Sequence, residues 1–320
     1  MYNKHKQLCL TSRLIKGDTN MKLSVSTRND SKFELLKECG FDACDFSLMD
    51  YFQPTAFLGD LKNVSDAQIE ETFTAIRERG SKIGFEVGQT HSAFTGHPAN
   101  YPDGIDDVVE RQIASIKATH YMGSKHCVVH PVITPGRLYD KLLKESFNES
   151  VEFYKRLADT LEEYDVYCCI ENMWNCDPVY KHICTTILSH AEEMVEMCDI
   201  LGDRFKICVD IGHGVLTQDD PAQMIRIAGD KLACLHTHDN DGLLDHHTYP
   251  FTAYNKPYGI GWKPMRVAWH DTMKALDDVN YRGNLTFEVA IYTPQPLEKA
   301  SYTYLAEIGK YLTTLREMQY

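Results

Sequence analysis

The sequence is short of several things, and each shortage closes off a class of protein. No apolar run approaches the roughly 20 residues of a membrane-spanning helix. Basic residues are scarce: 33 Lys and Arg stand against 46 Asp and Glu, for a formal net charge of −13. Such a surface repels nucleic-acid phosphates, and nothing beyond residue 16 is densely basic. No Pro-, Gly- or Ser-rich linker divides the 320 residues, so no internal domain boundary shows. The 11 cysteines include no Cys-x-x-Cys pair, which removes the usual zinc-ribbon and dithiol redox spacings. Cys127, Cys168, Cys169, Cys208 and Cys234 sit inside apolar runs, where a reduced thiol acts as a small hydrophobe. An odd count with adjacent Cys168 and Cys169 fits a reducing compartment, so a cytoplasmic location is expected. Met1–Asn20 carries Lys4, His5, Lys6, Arg13 and Lys16 without a period. It reads as an N-terminal extension, disordered or clamped over the bottom of the fold, and its Leu8-Cys9-Leu10 is too short for a signal-peptide core.

What is present is an alternation. Short runs rich in Val, Ile, Leu and Cys predict strands over 22–27, 41–46, 82–87, 126–130, 166–171, 205–210, 232–236 and 284–289. Between them, helices are predicted over 31–38, 65–79, 105–121, 145–164, 189–201, 221–228, 264–277 and 297–318. Ser65 with Gln68 three residues on forms a capping box, Gly80 reads as that helix's stop, and Pro221 stands where a first turn tolerates it. Strict alternation argues for a parallel sheet with helical crossovers. Eight repeats argue for a closed (β/α)8 TIM barrel over residues 21–320. The open doubly wound alternative loses support because no Gly-x-Gly-x-x-Gly follows the first strand.

In such a barrel, chemistry gathers where the strands run out. Glu171, Asp210, His236 and Glu288 all fall at predicted strand ends. Three carboxylates and one imidazole make a hard, mostly oxygen donor set suited to Mn²⁺, Mg²⁺ or Co²⁺, with Zn²⁺ the choice for a multinuclear site. Three buried carboxylates converging on one point call for a cation. His91, His130, His213, Asp245 and His247 form a second set, able to hold a second metal or a substrate hydroxyl. His238, His246 and His120 read as surface or supporting residues. Aromatics crowd the same loops. Phe94, Trp174 and Trp262 are candidates for lining a sugar pocket, where ring C–H faces stack, although loop packing accounts for most such residues. Arg137, Lys256 and Lys263 are loop cations with a solvated role as the plain reading.

The stretches Cys-Ile-Glu171-Asn, Val-Asp210-Ile-Gly-His213, Leu-His236-Thr-His-Asp-Asn-Asp-Gly, Asp245-His-His247, Pro257-Tyr-Gly259-Ile-Gly261 and Phe-Glu288-Val, in this order, resemble the xylose-isomerase-like barrel superfamily. That superfamily holds sugar isomerases and epimerases and also endonuclease IV. The resemblance covers roughly Met21 to the end of the chain. It implies that Glu171, Asp210, His236 and Glu288 hold one divalent metal. It also implies that Glu171 and Glu288 are the proton-transferring pair of a ketose or sugar-phosphate isomerase or epimerase working through a cis-enediolate. Two departures stand out. Such epimerases often carry an arginine six residues after the strand-seven histidine, where this chain has Gly242, and the loop between His247 and Pro257 is long. The resemblance also implies rivals. The residues matching an endonuclease IV-like trinuclear zinc site are nearly all present, which admits a phosphodiester hydrolase, and a polyol-ketone dehydratase would use the same enolisation. The expected partner is a small sugar, with nucleic acid and membrane disfavoured. The oligomeric state is open, a homo-oligomer included.

Overall fold

The computed structural model describes residues 21–52, 64–95, 104–133, 140–177, 179–252, 267–291 and 293–317. The N-terminal extension, Trp262 and the loop cations Arg137, Lys256 and Lys263 lie outside them.

Eight parallel strands form one sheet: β1 Leu23–Thr27, β2 Ala43–Ser47, β3 Glu86–His91, β4 His126–Val129, β5 Tyr167–Glu171, β6 Phe205–Asp210, β7 Leu232–His236 and β8 Leu285–Phe287. From β1 to β7 each strand pairs with the next in chain order, and β8 pairs with β1 with Leu285 opposite Leu23. The ring closes between β7 and β8 just past the end of β7. There Thr237 N–H donates to the Thr286 carbonyl at 2.8 Å, and Glu288 N–H to the Thr237 carbonyl at 3.3 Å. The fold is therefore the (β/α)8 barrel that the alternation predicts.

The helices are α1 Phe33–Cys39, α2 Met49–Phe52, α3 Asp66–Lys82, α4 Ile105–Tyr121, α5 Asp140–Lys155, α6 Ala158–Glu163, α7 Ala191–Leu201, α8 Ile211–Leu216, α9 Pro221–Ala228, α10 Trp269–Asp278 and α11 Gln295–Glu317. Their ends follow local chemistry. Ser65 caps α3 by accepting from Gln68 N–H, and the Gln68 side chain accepts from Ser65 N–H in return. Asp220 caps α9 ahead of Pro221. Phe33, Leu36, Phe41, Phe46, Phe85 and Phe287 are fully or nearly fully buried between helices and sheet. A smaller cluster of Val128, Cys169, Cys208 and Cys234 fills the barrel interior, where Cys169 and Cys234 Sγ meet at 3.5 Å from strands that are not neighbours. All the cysteines among the described residues are free.

Beyond shifts of a residue or two, three departures from expectation have a clear local reason. Gly80 does not stop α3, which runs on to Lys82. Gly80 is buried within it, and a Cβ there would meet the Phe85 carbonyl oxygen at 2.5 Å. The glycine serves close approach, not termination. β3 accordingly starts at Glu86, four residues later than expected, and its own last residue is His91. The helix expected over 145–164 is two helices, α5 and α6, with Arg156 and Leu157 turning between them.

Candidate metal-binding active site

Glu171, Asp210 and His236 are the last residues of β5, β6 and β7, and Glu288 follows the last residue of β8. A parallel barrel delivers all four to one mouth. Their ligand atoms lie within 4.8 Å of one another. His236 Nδ1 stands 3.0 Å from Glu171 Oε1, 3.1 Å from Glu288 Oε2 and 3.8 Å from Asp210 Oδ2. The second set converges beside it. His91, His130 and Glu171 form one donor group, with His130 Nε2 2.9 Å and His91 Nε2 3.5 Å from Glu171 Oε2. His213, His238, Asp245 and His247 form another, with His213 Nε2 3.6 Å and His247 Nε2 3.3 Å from Asp245 Oδ2. Glu171 is shared: one oxygen faces His236, the other His130.

The imidazoles are aimed. Nδ1 of His91, His213 and His247 lies 3.0, 2.8 and 2.8 Å from the carbonyls of Ser92, Asn172 and Glu288. Only an N–H satisfies a carbonyl, so each ring keeps a proton on Nδ1 and turns Nε2 inward. His236 is held the other way round. Its Nε2 lies 2.9 Å from Asp45 Oδ2, and Gln89 Nε2 donates to that carboxylate at 3.2 Å. Its Nδ1 thus faces the carboxylates. Fixing one ring nitrogen on an oxygen and presenting the other is how proteins orient metal-binding histidines.

The electrostatics point the same way. Among the described residues, every cationic group within 4.0 Å of Glu171 and Asp210 is an imidazole. Burial pushes the Glu171 carboxyl up, but His236 and His130 outweigh it and hold it well below the usual range. Burial likewise opposes charge on His213 and His247, yet Asp210 and Asp245 raise the first to about 10, and Asp245 with Glu288 raises the second to about 9. So many buried carboxylates, faced by bases that are neutral at their ordinary pKa, fit one or more divalent cations.

A cavity of about 450 Å³ opens over these groups. Glu171, Glu288, His91, His130, His213, Asp245 and His247 line its floor, and Phe94, Pro131, Ile133, Met173 and Trp174 its walls. The expected pocket residues Phe94 and Trp174 are therefore at the cavity. Phe94 stacks on His130 at 5.1 Å between ring centroids.

Two residues here were not legible as site residues. Asp45 is fully buried in β2, and a carboxylate inside an otherwise apolar strand was its signal. His238, expected at the surface or in a supporting role, is fully buried. Its spacing of two from His236 places it on the same side of the extended chain, which was the available signal. His246 and His120 are exposed, as expected.

Fold and mouth together define a (β/α)8 barrel with carboxylates and imidazoles converging at the C-terminal ends of its strands. The chain belongs to the xylose isomerase-like TIM barrel family, which matches residues 33–308. A curated relative, the uncharacterized protein y4fM of Sinorhizobium fredii (strain NBRC 101917 / NGR234), is 26% identical over 172 residues. That match spans 52% of this chain and 48% of the relative, so the chain spans about half the length of the curated relative it matches. Among solved structures, a D-tagatose 3-epimerase-like protein superposes with a TM-score of 0.67 at 20% identity, covering 93% of this chain and 98% of that one. The D-psicose 3-epimerase of Clostridium cellulolyticum H10 gives 0.65 at 16% identity, with 92% and 99% covered. The 3-keto-D-glucoside 4-epimerase YcjR of E. coli gives 0.62 at 14%, with 90% and 100% covered. At these identities the likeness establishes the fold.

Proposed function

We propose that this protein is a divalent-metal-dependent isomerase or epimerase of a ketose or sugar phosphate. One observation carries the reading: Glu171, Asp210, His236 and Glu288 bring their ligand atoms within 4.8 Å of one another, and both glutamates line the cavity. These four residues would hold the ion, which supplies Lewis-acid polarisation of a ketose carbonyl and its neighbouring hydroxyl. Mn²⁺, Mg²⁺ or Co²⁺ suits the oxygen-rich set.

The chain's own residues move the proton. Glu288, whose side chain is 23% exposed, is the more open of the pair, and Glu171 is at 1%. A Glu288 carboxylate takes the α-proton, the C–H electron pair becomes the C=C of a cis-enediolate, and the carbonyl π pair moves onto oxygen. Return of a proton to the opposite face of the same carbon gives the epimer. Return to the neighbouring carbon gives the isomer. Glu171, at the end of β5 across the mouth, is the second member of the pair. Among the described residues, Trp174 Nε1 and Asp245 Oδ1 are buried without a hydrogen-bond partner. Such atoms cost about 1–3 kcal/mol each unless satisfied, and sugar hydroxyls in the cavity would satisfy both. The named epimerases of the same fold support this reading.

A second reading is favoured by a specific observation. Three donor groups, two of them sharing Glu171, exceed what one ion needs. Two or three Zn²⁺ in these groups would suit phosphodiester hydrolysis. Incubation with a ketose panel in D₂O separates the two. The epimerase reading expects deuterium in the α position, and a loss of roughly 10²–10⁴-fold in Glu288→Gln. No exchange into any ketose, with cleavage of an abasic-site duplex instead, would sink it.

A further inference from the structure

His238 takes no part in the epimerase scheme or in the Glu171, Asp210, His236 and Glu288 set, yet it is completely buried where that set meets the His213, His238, Asp245 and His247 group. Its Nε2 lies 3.1 Å from the Asp210 carboxylate. A carboxylate only accepts, so Nε2 carries a proton and donates it to Asp210, while Nδ1 lies 3.4 Å from the Asp239 carbonyl. The same carboxylate accepts a second N–H, from the His213 backbone at 2.6 Å. The His238 ring lies flat on His247, with centroids 4.1 Å apart and planes 6° from parallel. One imidazole thus touches Asp210 of the first donor group and His247 of its neighbour.

The backbone makes room for it. Gly212 lies in α8, where alanine is ordinarily the better residue by about 1 kcal/mol. A Cβ on Gly212 would stand 1.9 Å from His238 Cε1. The missing side chain is what admits the ring.

We infer that His238 is a positioning residue that locks Asp210 and His247 into register, so that the two donor groups form together. This rests on the metal reading of the mouth. Its Nε2 is already committed to Asp210, so its work is done through the other two residues. A hydrogen-bonded partner behind a ligand is commonly worth about 10–100-fold in metal affinity.

The test titrates chelator-treated wild type, His238→Ala, His238→Gln, Gly212→Ala and the Gly212→Ala/His238→Ala double variant with Zn²⁺ and with Mn²⁺ by calorimetry. The melting temperature of each metal-free protein is measured alongside. His238→Ala and Gly212→Ala are each expected to weaken binding about 10–100-fold, a loss larger than the fall in metal-free melting temperature that truncating or crowding a buried ring brings. His238→Gln, whose amide N–H can reach Asp210, recovers part of the loss. Gly212→Ala adds nothing in the His238→Ala background, because its effect runs through the ring. Unchanged affinity in both single variants overturns the inference. So does an undiminished Gly212→Ala effect in the double variant, or a metal-free melting temperature that falls in step with affinity. A wild type that binds neither ion overturns the metal reading as well, whereas failure confined to the variants leaves that reading standing.

Discussion

Backbone carbonyls and one buried aspartate turn the histidines of this mouth, and that arrangement sets a pH response. His213 and His247 are raised to about 10 and about 9 because Asp210, Asp245 and Glu288 outweigh burial. A raised pKa stabilises the fold fully below the ordinary histidine value near 6.5, and the contribution is lost as pH rises through the folded value. The metal-free protein is therefore expected to lose melting temperature between about pH 7 and pH 10, and its affinity for Zn²⁺ to rise over the same interval as the protons leave. Thermal scans and titrations at stepped pH check both, and two flat profiles would contradict the assignment. Glu171, Asp210, His236 and Glu288 were legible because each ends a recognisable strand. Asp45 was not, because its partner His236 is 191 residues away and reaches it only when the barrel closes. His238 was masked by the ordinary expectation that a loop histidine meets water, and only tertiary contact with Asp210 reverses it.

Among the elements, the strands of the second half of the sheet were the easiest to read. β6 and β7 coincide with their predicted spans because apolar runs end abruptly in Asp210 and His236. β3 was misplaced because Gly80 looks like a stop and Gly88 like a loop. Gly88 lies within β3, and Gly80 is a spacing glycine held against the Phe85 carbonyl. Gly309 works similarly in α11, which lies against the seam between β1 and β8. A Cβ there would meet Phe287 Cε2 at 2.9 Å and Leu23 Cδ2 at 3.0 Å. Gly309→Val is therefore expected to overpack that seam and remove about 1–3 kcal/mol of stability, read from urea unfolding. An unchanged midpoint and slope would show that α11 does not bear on the ring closure.

For the molecule as a whole, a closed ring explains how residues spread over nearly 200 positions, from His91 to Glu288, converge on one mouth. Alternation made the ring legible, whereas the long connections were read only by composition, and Trp262 lies outside the described residues. Among the described residues no helix is long and apolar enough to cross a membrane. The most direct measurement is metal content per chain, on protein purified without added metal or chelator, for wild type and Asp210→Ala. At least one Mn²⁺, Mg²⁺, Co²⁺ or Zn²⁺ per wild-type chain is predicted, with Asp210→Ala depleted and the wild type losing melting temperature on chelation. A metal-free wild type that also binds none of these ions on titration would contradict a metal centre at this mouth.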